Sequence, residues 1–85
     1  MIAVVILNWN GAEMLRRFLP SVVEHSHPLG EVIVADNGST DNSLEILQQE
    51  FPEVRTLVLD RNYGFAEGYN EAFRRLEIIA PQRYE

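Results

Sequence analysis

Glu31-Val-Ile-Val-Ala-Asp36-Asn-Gly-Ser-Thr-Asp41-Asn-Ser43 changes character twice within one short stretch. An apolar run, Val32 to Ala35, stops at Asp36 and turns through Asn37-Gly38. Ser39, Thr40 and Asp41 follow, and these are residue types that open helices. The stretch reads as a buried strand, a tight polar loop and a helix N-terminus. In an open α/β sheet, ligands sit just beyond the carboxyl ends of the strands. An acidic side chain fixed there suits the hydroxyl or imino groups of a nucleoside. It suits a phosphate poorly, because like charges repel. Asp36 is therefore the candidate centre of a nucleotide-binding edge, with turn former or helix cap as its plainer role.

Working outward, residues 2–7 are continuously apolar and rich in β-branched side chains, the pattern of a strand covered on both faces. Asn8-Trp9-Asn10-Gly11 supplies turn chemistry plus one aromatic ring. From Ala12 the spacing becomes helical, with Met14, Leu15, Phe18, Leu19, Val22 and Val23 on one face and Asn10 as an N-cap candidate. Pro20 predicts a kink or a break between two short helical pieces. Residues 25–30 read as a loop. The second strand is 31–35, and a second helix covers 41–50, with Asn42 and Glu45 at capping-box spacing. Pro52 forces an exit before a third strand over 54–59. A polar turn, Asp60 to Gly64, leads into a third helix carrying Phe65, Tyr69, Ala72, Phe73, Leu76 and Ile79 along one stripe. Pro81 ends it, and residues 82–85 read as a frayed tail. The order β-α-β-α-β-α with short loops predicts a parallel sheet, right-handed crossovers and helices on both faces. That is a three-layer α/β arrangement, half of a doubly wound domain.

Composition narrows the function classes. The chain has 85 residues and a net charge of −6, which disfavours nucleic acid and anionic membrane as partners. Cysteine is absent, which removes disulfides, thiolate catalysis and Cys-based zinc sites and fits a reducing, cytoplasmic setting. The apolar run at 2–7 is far too short to span a membrane and lacks the flanks of a signal peptide.

Each predicted strand ends in polar side chains: residues 8–10, then Asp36 and Asn37, then Asp60, Arg61 and Asn62, with Trp9 flanking. A parallel sheet gathers these ends on one edge, where Trp9 could stack on a base or pack as core. Asp41 is better suited to capping than to ligand contact. Asn62 and Gly64 suit a tight turn, with Gly64 permitting a positive φ. Gly68, inside a helix, implies close approach of another group. His25 and His27 lack a third ligand nearby, so no metal site is assigned to them. No Walker loop, glycine-rich dinucleotide fingerprint or nucleophile elbow is present.

Three ordered motifs resemble the N-terminal part of family 2 glycosyltransferases of the GT-A fold, particularly the rhamnosyltransferase-like branch. They are Val4-Val-Ile-Leu-Asn-Trp-Asn-Gly11, Val34-Ala-Asp-Asn-Gly-Ser-Thr-Asp-Asn-Ser43 and Asn62-Tyr-Gly-Phe-Ala-Glu-Gly-Tyr-Asn70. The resemblance implies a Rossmann-like sheet in the order 3-2-1. It implies that residues 1–85 form one truncated domain, the nucleotide-sugar-binding portion. Asp36 would contact the base or ribose of the donor, and Trp9 would pack on the base. Asn8, Asn10 and Asn37 would shape that pocket, and the run containing Asn62 and Gly64 would border it. The parent would transfer a sugar from a nucleoside-diphosphate donor to a glycan or lipid-linked acceptor. The resemblance also implies a divalent metal, Mg²⁺ or Mn²⁺, held by an Asp-x-Asp after the third helix, beyond Glu85, with the catalytic base further on. On this reading the 85 residues contain no metal ligand or catalytic residue and are inactive alone. Membrane association of the parent stays open. The first strand would form an apolar sheet edge, predicting a homodimer through that edge or through exchange of the third helix. The alternative is a non-catalytic nucleotide-binding or oligomerisation module.

Overall fold

A computed structural model describes residues 2–26 and 30–79. His27, Pro28, Leu29, the helix stop at Pro81 and the tail at 82–85 lie outside the described residues. The elements are β1 (Ile2–Asn8), α1 (Ala12–Ser26), β2 (Gly30–Asp36), α2 (Ser43–Glu50), β3 (Arg55–Val58) and α3 (Phe65–Ile79). The three strands form a parallel sheet with β2 in the centre, in the order β1-β2-β3. Read from the other side this is the expected 3-2-1.

Strand periodicity explains the layers. Side chains alternate between faces, so Val4, Ile6, Val32 and Val34 share one side of the sheet. They pack with Leu15 and Leu19 of α1, with Ile46 and Leu47 of α2, and with Phe51 and Val54 of the following turn. The other side carries Ile33 and Ala35, both fully buried, and takes α3 through Ala72 and Leu76. Gly68 lets α3 approach: a Cβ built there would lie 2.9 Å from the Leu7 side chain and 2.9 Å from the Asn37 amide. Burying a side chain such as Leu19, Ile33 or Leu47 stabilises the fold by about 2 kcal/mol each.

Several sequence expectations change: α2 begins at Ser43 rather than 41, and β3 covers Arg55–Val58 rather than 54–59. Pro20 neither breaks nor ends α1, which runs unbroken from Ala12 to Ser26. The carbonyl that loses its donor belongs to Arg16, and both Arg16 and Pro20 are exposed, so water can complete that carbonyl. His25 and Ser26 are helical rather than loop, and His25 Nδ1–H donates to the Ser21 carbonyl at 2.7 Å. The α1 face is narrower than the six spaced apolar residues suggested: Met14 and Phe18 point to solvent, and Leu15 and Leu19 are buried. In α3 likewise, Phe65 and Phe73 are exposed, while Ala72 and Leu76 form the buried stripe. Tyr69 links the two rings, 5.3 Å from Phe65 and 6.2 Å from Phe73 between centroids.

Candidate functional site

The sheet register aligns the strand ends. Asn8 stands opposite Asp36, the Asn37 N–H donates to the Asn8 carbonyl at 2.7 Å, and the Leu59 N–H donates to the Asp36 carbonyl at 2.9 Å. Asp36 has no exposed surface. Its carboxylate is satisfied internally: Oδ1 accepts from Asn8 Nδ2 at 3.0 Å and from the Ser39 hydroxyl at 2.7 Å, and Oδ2 accepts the Ser39 amide at 3.0 Å. A buried charge is tolerable only when bonded in this way. Ser39, three residues on, thus closes an Asx-type turn and becomes a hub. Its Oγ also accepts from Asn8 Nδ2 at 3.3 Å and from the Asn10 backbone N–H at 2.9 Å.

The first and second loops are stitched together further out. Asn10 has φ 49°, a left-handed conformation that asparagine adopts more readily than most residues. It does not cap α1. Its Oδ1 accepts the Thr40 and Asp41 amides at 2.7 and 3.2 Å, and its Nδ2 donates to Thr40 Oγ1 at 3.3 Å. The capping duty falls to Asp41. Its Oδ2 accepts the Ala12 N–H of α1 at 3.3 Å. Its Oδ1 accepts both the Ser43 amide at 2.9 Å and the Ser43 hydroxyl at 2.5 Å, at the start of α2. The Ser43 hydroxyl, foremost, holds the Asp41 carboxyl below its ordinary range. Asn42, expected as part of a capping box, makes no side-chain cap bond.

Asn37 ties in the third loop. It is nearly fully buried, accepts the Tyr63 amide at 2.9 Å, and donates from Nδ2 to the Gly64 carbonyl at 2.9 Å and to Asn62 Oδ1 at 3.2 Å. Asn62 Oδ1 also accepts the Gly64 amide at 2.7 Å, and Gly64 adopts φ 81°. Gly38, at φ 76°, lies so close to this loop that a Cβ would sit 2.6 Å from the Asn62 amide nitrogen. Farther out, the Tyr63 hydroxyl donates to Asp60 Oδ1 at 2.5 Å, and Arg75 of α3 reaches the same oxygen at 2.6 Å. The tyrosine hydroxyl, with Arg75 behind it, holds the Asp60 carboxyl well down, to about 2. The Arg61 guanidinium sits over the Tyr63 ring, 4.7 Å from its centroid.

The structure therefore brings Asn8, Asn10, Asp36, Asn37, Asn62 and Gly64 into one hydrogen-bonded rim. Trp9 lies between two members of it and is 55% exposed, so it is not core. Most polar groups of the rim are engaged with each other. The exposed residues around it include Trp9, Asn10, Thr40, Asp41, Asp60, Arg61, Asn62 and Gly64, and among them Trp9 carries the one large apolar ring and Arg61 the one cation. Ser39 and Tyr63 were missed as members; the three-residue spacing from Asp36 to Ser39 was the available signal for the first. Gly68 does mark a close approach, to Leu7 and Asn37. Among the described residues, no three His, Cys, Asp or Glu side chains converge to hold a metal ion, and no helix is long and apolar enough to cross a membrane.

Comparison with known proteins agrees with this architecture. The family model for glycosyl transferase family 2 matches residues 3–77. The chain is 35% identical over 84 residues to an uncharacterized glycosyltransferase of Nostoc sp., covering 93% of this chain and 26% of that protein. It is 32% identical over 77 residues to the N-acetylglucosaminyl-diphospho-decaprenol L-rhamnosyltransferase of Mycobacterium tuberculosis, covering 91% of this chain and 25% of the relative. The chain thus spans about a quarter of the length of these relatives. Among solved structures it superposes on the mannosyltransferase PcManGT from Pyrobaculum calidifontis, a complex with GDP-Man and Mn²⁺, with TM-score 0.69. Identity there is 23%, over 87% of this chain and 24% of that one, a likeness of fold.

Proposed function

Because this chain belongs to glycosyl transferase family 2, we propose that it forms the nucleoside-binding part of an enzyme that moves a sugar from a nucleoside-diphosphate donor to a glycan or lipid-linked acceptor. One observation supports this most: an exposed indole, Trp9, set between Asn8 and Asn10, both of which bond into the Asp36–Ser39 cluster. An exposed flat aromatic beside fixed polar groups suits a base, which offers a π-face to stack and edges to hydrogen-bond. Asp36 holds this floor in shape. Among the described residues its Oδ2 accepts the Ser39 amide, and a carboxylate oxygen has a second lone pair to offer a nucleoside imino or hydroxyl group. Because Asp36 is fully buried, that contact requires the 37–42 loop to move. Asn37, with Asn62 and Gly64, fixes the opposite border.

The family implies a divalent metal. Among the described residues no three His, Cys, Asp or Glu side chains converge to hold it. On the proposed reading, residues 1–85 bind donor without transferring sugar. The second reading, a self-associating module, has one observation in its favour: β1 is an edge strand of the three-stranded sheet. Self-association through this edge accords with both readings, and sedimentation equilibrium measures it; a protein that dimerises but binds no nucleoside diphosphate would favour the module. A cytoplasmic setting accords with the absence of cysteine.

Calorimetry with uridine, thymidine and guanosine diphosphates tests the donor site. Binding is expected with at least one of them, and Trp9→Ala is expected to abolish it while the unfolding transition stays in place. An intact protein that gives no heat with any of the three would refute the proposal.

A further inference from the structure

We infer that Arg61 is the residue that takes the charge of the donor's phosphates. The inference rests on the donor-site reading above and gives a role to Arg61, which the sequence places in the third polar strand end without assigning it a ligand contact. A nucleoside diphosphate is a polyanion, and this chain carries a net charge of −6. Binding such a ligand to an acidic protein is favoured by a side-chain cation beside the divalent metal that the family implies. Among the described residues, Arg16, Arg55, Arg74 and Arg75 each lie against a carboxylate: Glu50, Glu31, Glu71 and Asp60 respectively. Arg17 and Arg61 have no carboxylate partner among the described residues. Arg17 sits over Phe18 on the outer face of α1. Arg61 alone is in the loops at the carboxyl ends of the strands, where 9–11, 37–42 and 59–64 contain no other basic residue.

Its position is also built rather than incidental. The backbone beneath it is pressed against Gly38, where an added Cβ would meet the Arg61 carbonyl carbon at 2.7 Å. The guanidinium rests on the Tyr63 ring, and that ring is fixed at both ends. Its backbone amide bonds to Asn37, and its hydroxyl bonds to Asp60, itself gripped by Arg75. Resting on an aromatic face leaves the edge N–H donors of a guanidinium free, and that fork matches a phosphate. Arg75 neutralises Asp60, so the nearest carboxylate does not draw Arg61 into a pair of its own.

Trp9 is the single tryptophan, so its fluorescence reports on the site directly. The test titrates the full chain and its Arg61→Gln and Arg61→Lys variants with matched pairs: uridine and UDP, thymidine and TDP, guanosine and GDP. Losing a charge-assisted contact is expected to weaken diphosphate binding about tenfold in Arg61→Gln. Affinity for the matching nucleoside should hold, Arg61→Lys should recover part of the loss, and added salt should weaken the wild type more than Arg61→Gln. Unchanged diphosphate affinity in Arg61→Gln would overturn the inference and leave the donor site standing. Equal weakening of nucleoside and diphosphate would also overturn it, since Arg61 would then only shape its loop. If the wild type bound neither member of any pair, the donor-site reading itself would fall, and this inference with it.

Discussion

Replacing Asp36 by alanine tests whether the rim depends on that carboxylate. The substitution removes the acceptor of three donors held at 2.7 to 3.0 Å. Two effects oppose each other. Removing a buried charge relieves its desolvation cost, which on its own would stabilise the fold. Against this, the Ser39 amide loses its partner, Asn8 Nδ2 keeps only its longer bond to Ser39 Oγ at 3.3 Å, and a small cavity opens. Orphaning a buried donor costs about 1–3 kcal/mol, and a charge-assisted bond adds about 1.5–3 kcal/mol. Because all three contacts are short and one residue supplies two of the donors, the losses win, at about 2–3 kcal/mol net. A domain of this size has a total stability of about 5–15 kcal/mol and a urea slope of about 1 kcal/mol per molar. The urea midpoint, followed by Trp9 fluorescence, should therefore fall by about 2–3 M. Asp36→Asn should fall by less, since its amide oxygen can still accept from one side of the cluster. A midpoint for Asp36→Ala within about 0.5 M of wild type would refute the reasoning.

Gly38→Ala should destabilise the fold by more than about 2 kcal/mol, because the new Cβ meets backbone at 2.6 Å in a left-handed conformation; urea denaturation measures it. Gly68→Ala should also lose stability, despite a helix-propensity gain of about 1 kcal/mol, because its Cβ is 2.9 Å from Asn37 and Leu7; a rise in melting temperature would refute this. The Asp60 carboxyl is depressed to about 2, so its contribution is complete above the ordinary carboxylate range, near pH 4, and is lost as pH falls toward 2. The protection of the Tyr63 amide, measured relative to its intrinsic exchange rate at each pH, should fall across that window, and Asp60→Asn should remove that change in protection.

The sheet was legible because β2 is buried on both faces and β1 half-buried, so their sequences are almost purely apolar and end sharply at Asn8 and Asp36. The shared edge was legible too, since parallel strands must gather their polar ends. Less legible was which helical aromatics would be buried. Met14, Phe18, Phe65 and Phe73 sit one turn from buried residues, and spacing alone does not say how wide the covered stripe is. Residue types also did not reveal that Asn10 would bond across to Thr40 and Asp41 rather than cap its own helix. That choice depends on a neighbouring loop some thirty residues away and on a left-handed backbone at Asn10. Pro20 does not break α1, because the cost of a helical proline depends on whether the orphaned carbonyl faces water.

Asp41 has a consequence for how the molecule comes apart. A single carboxylate holds the first turn of both α1 and α2. The two helices therefore cannot unravel from those ends independently: melting one releases the clasp on the other. Opening of the nearby loops should be a joint event, and a mutation at position 41 should loosen two distant stretches of chain at once.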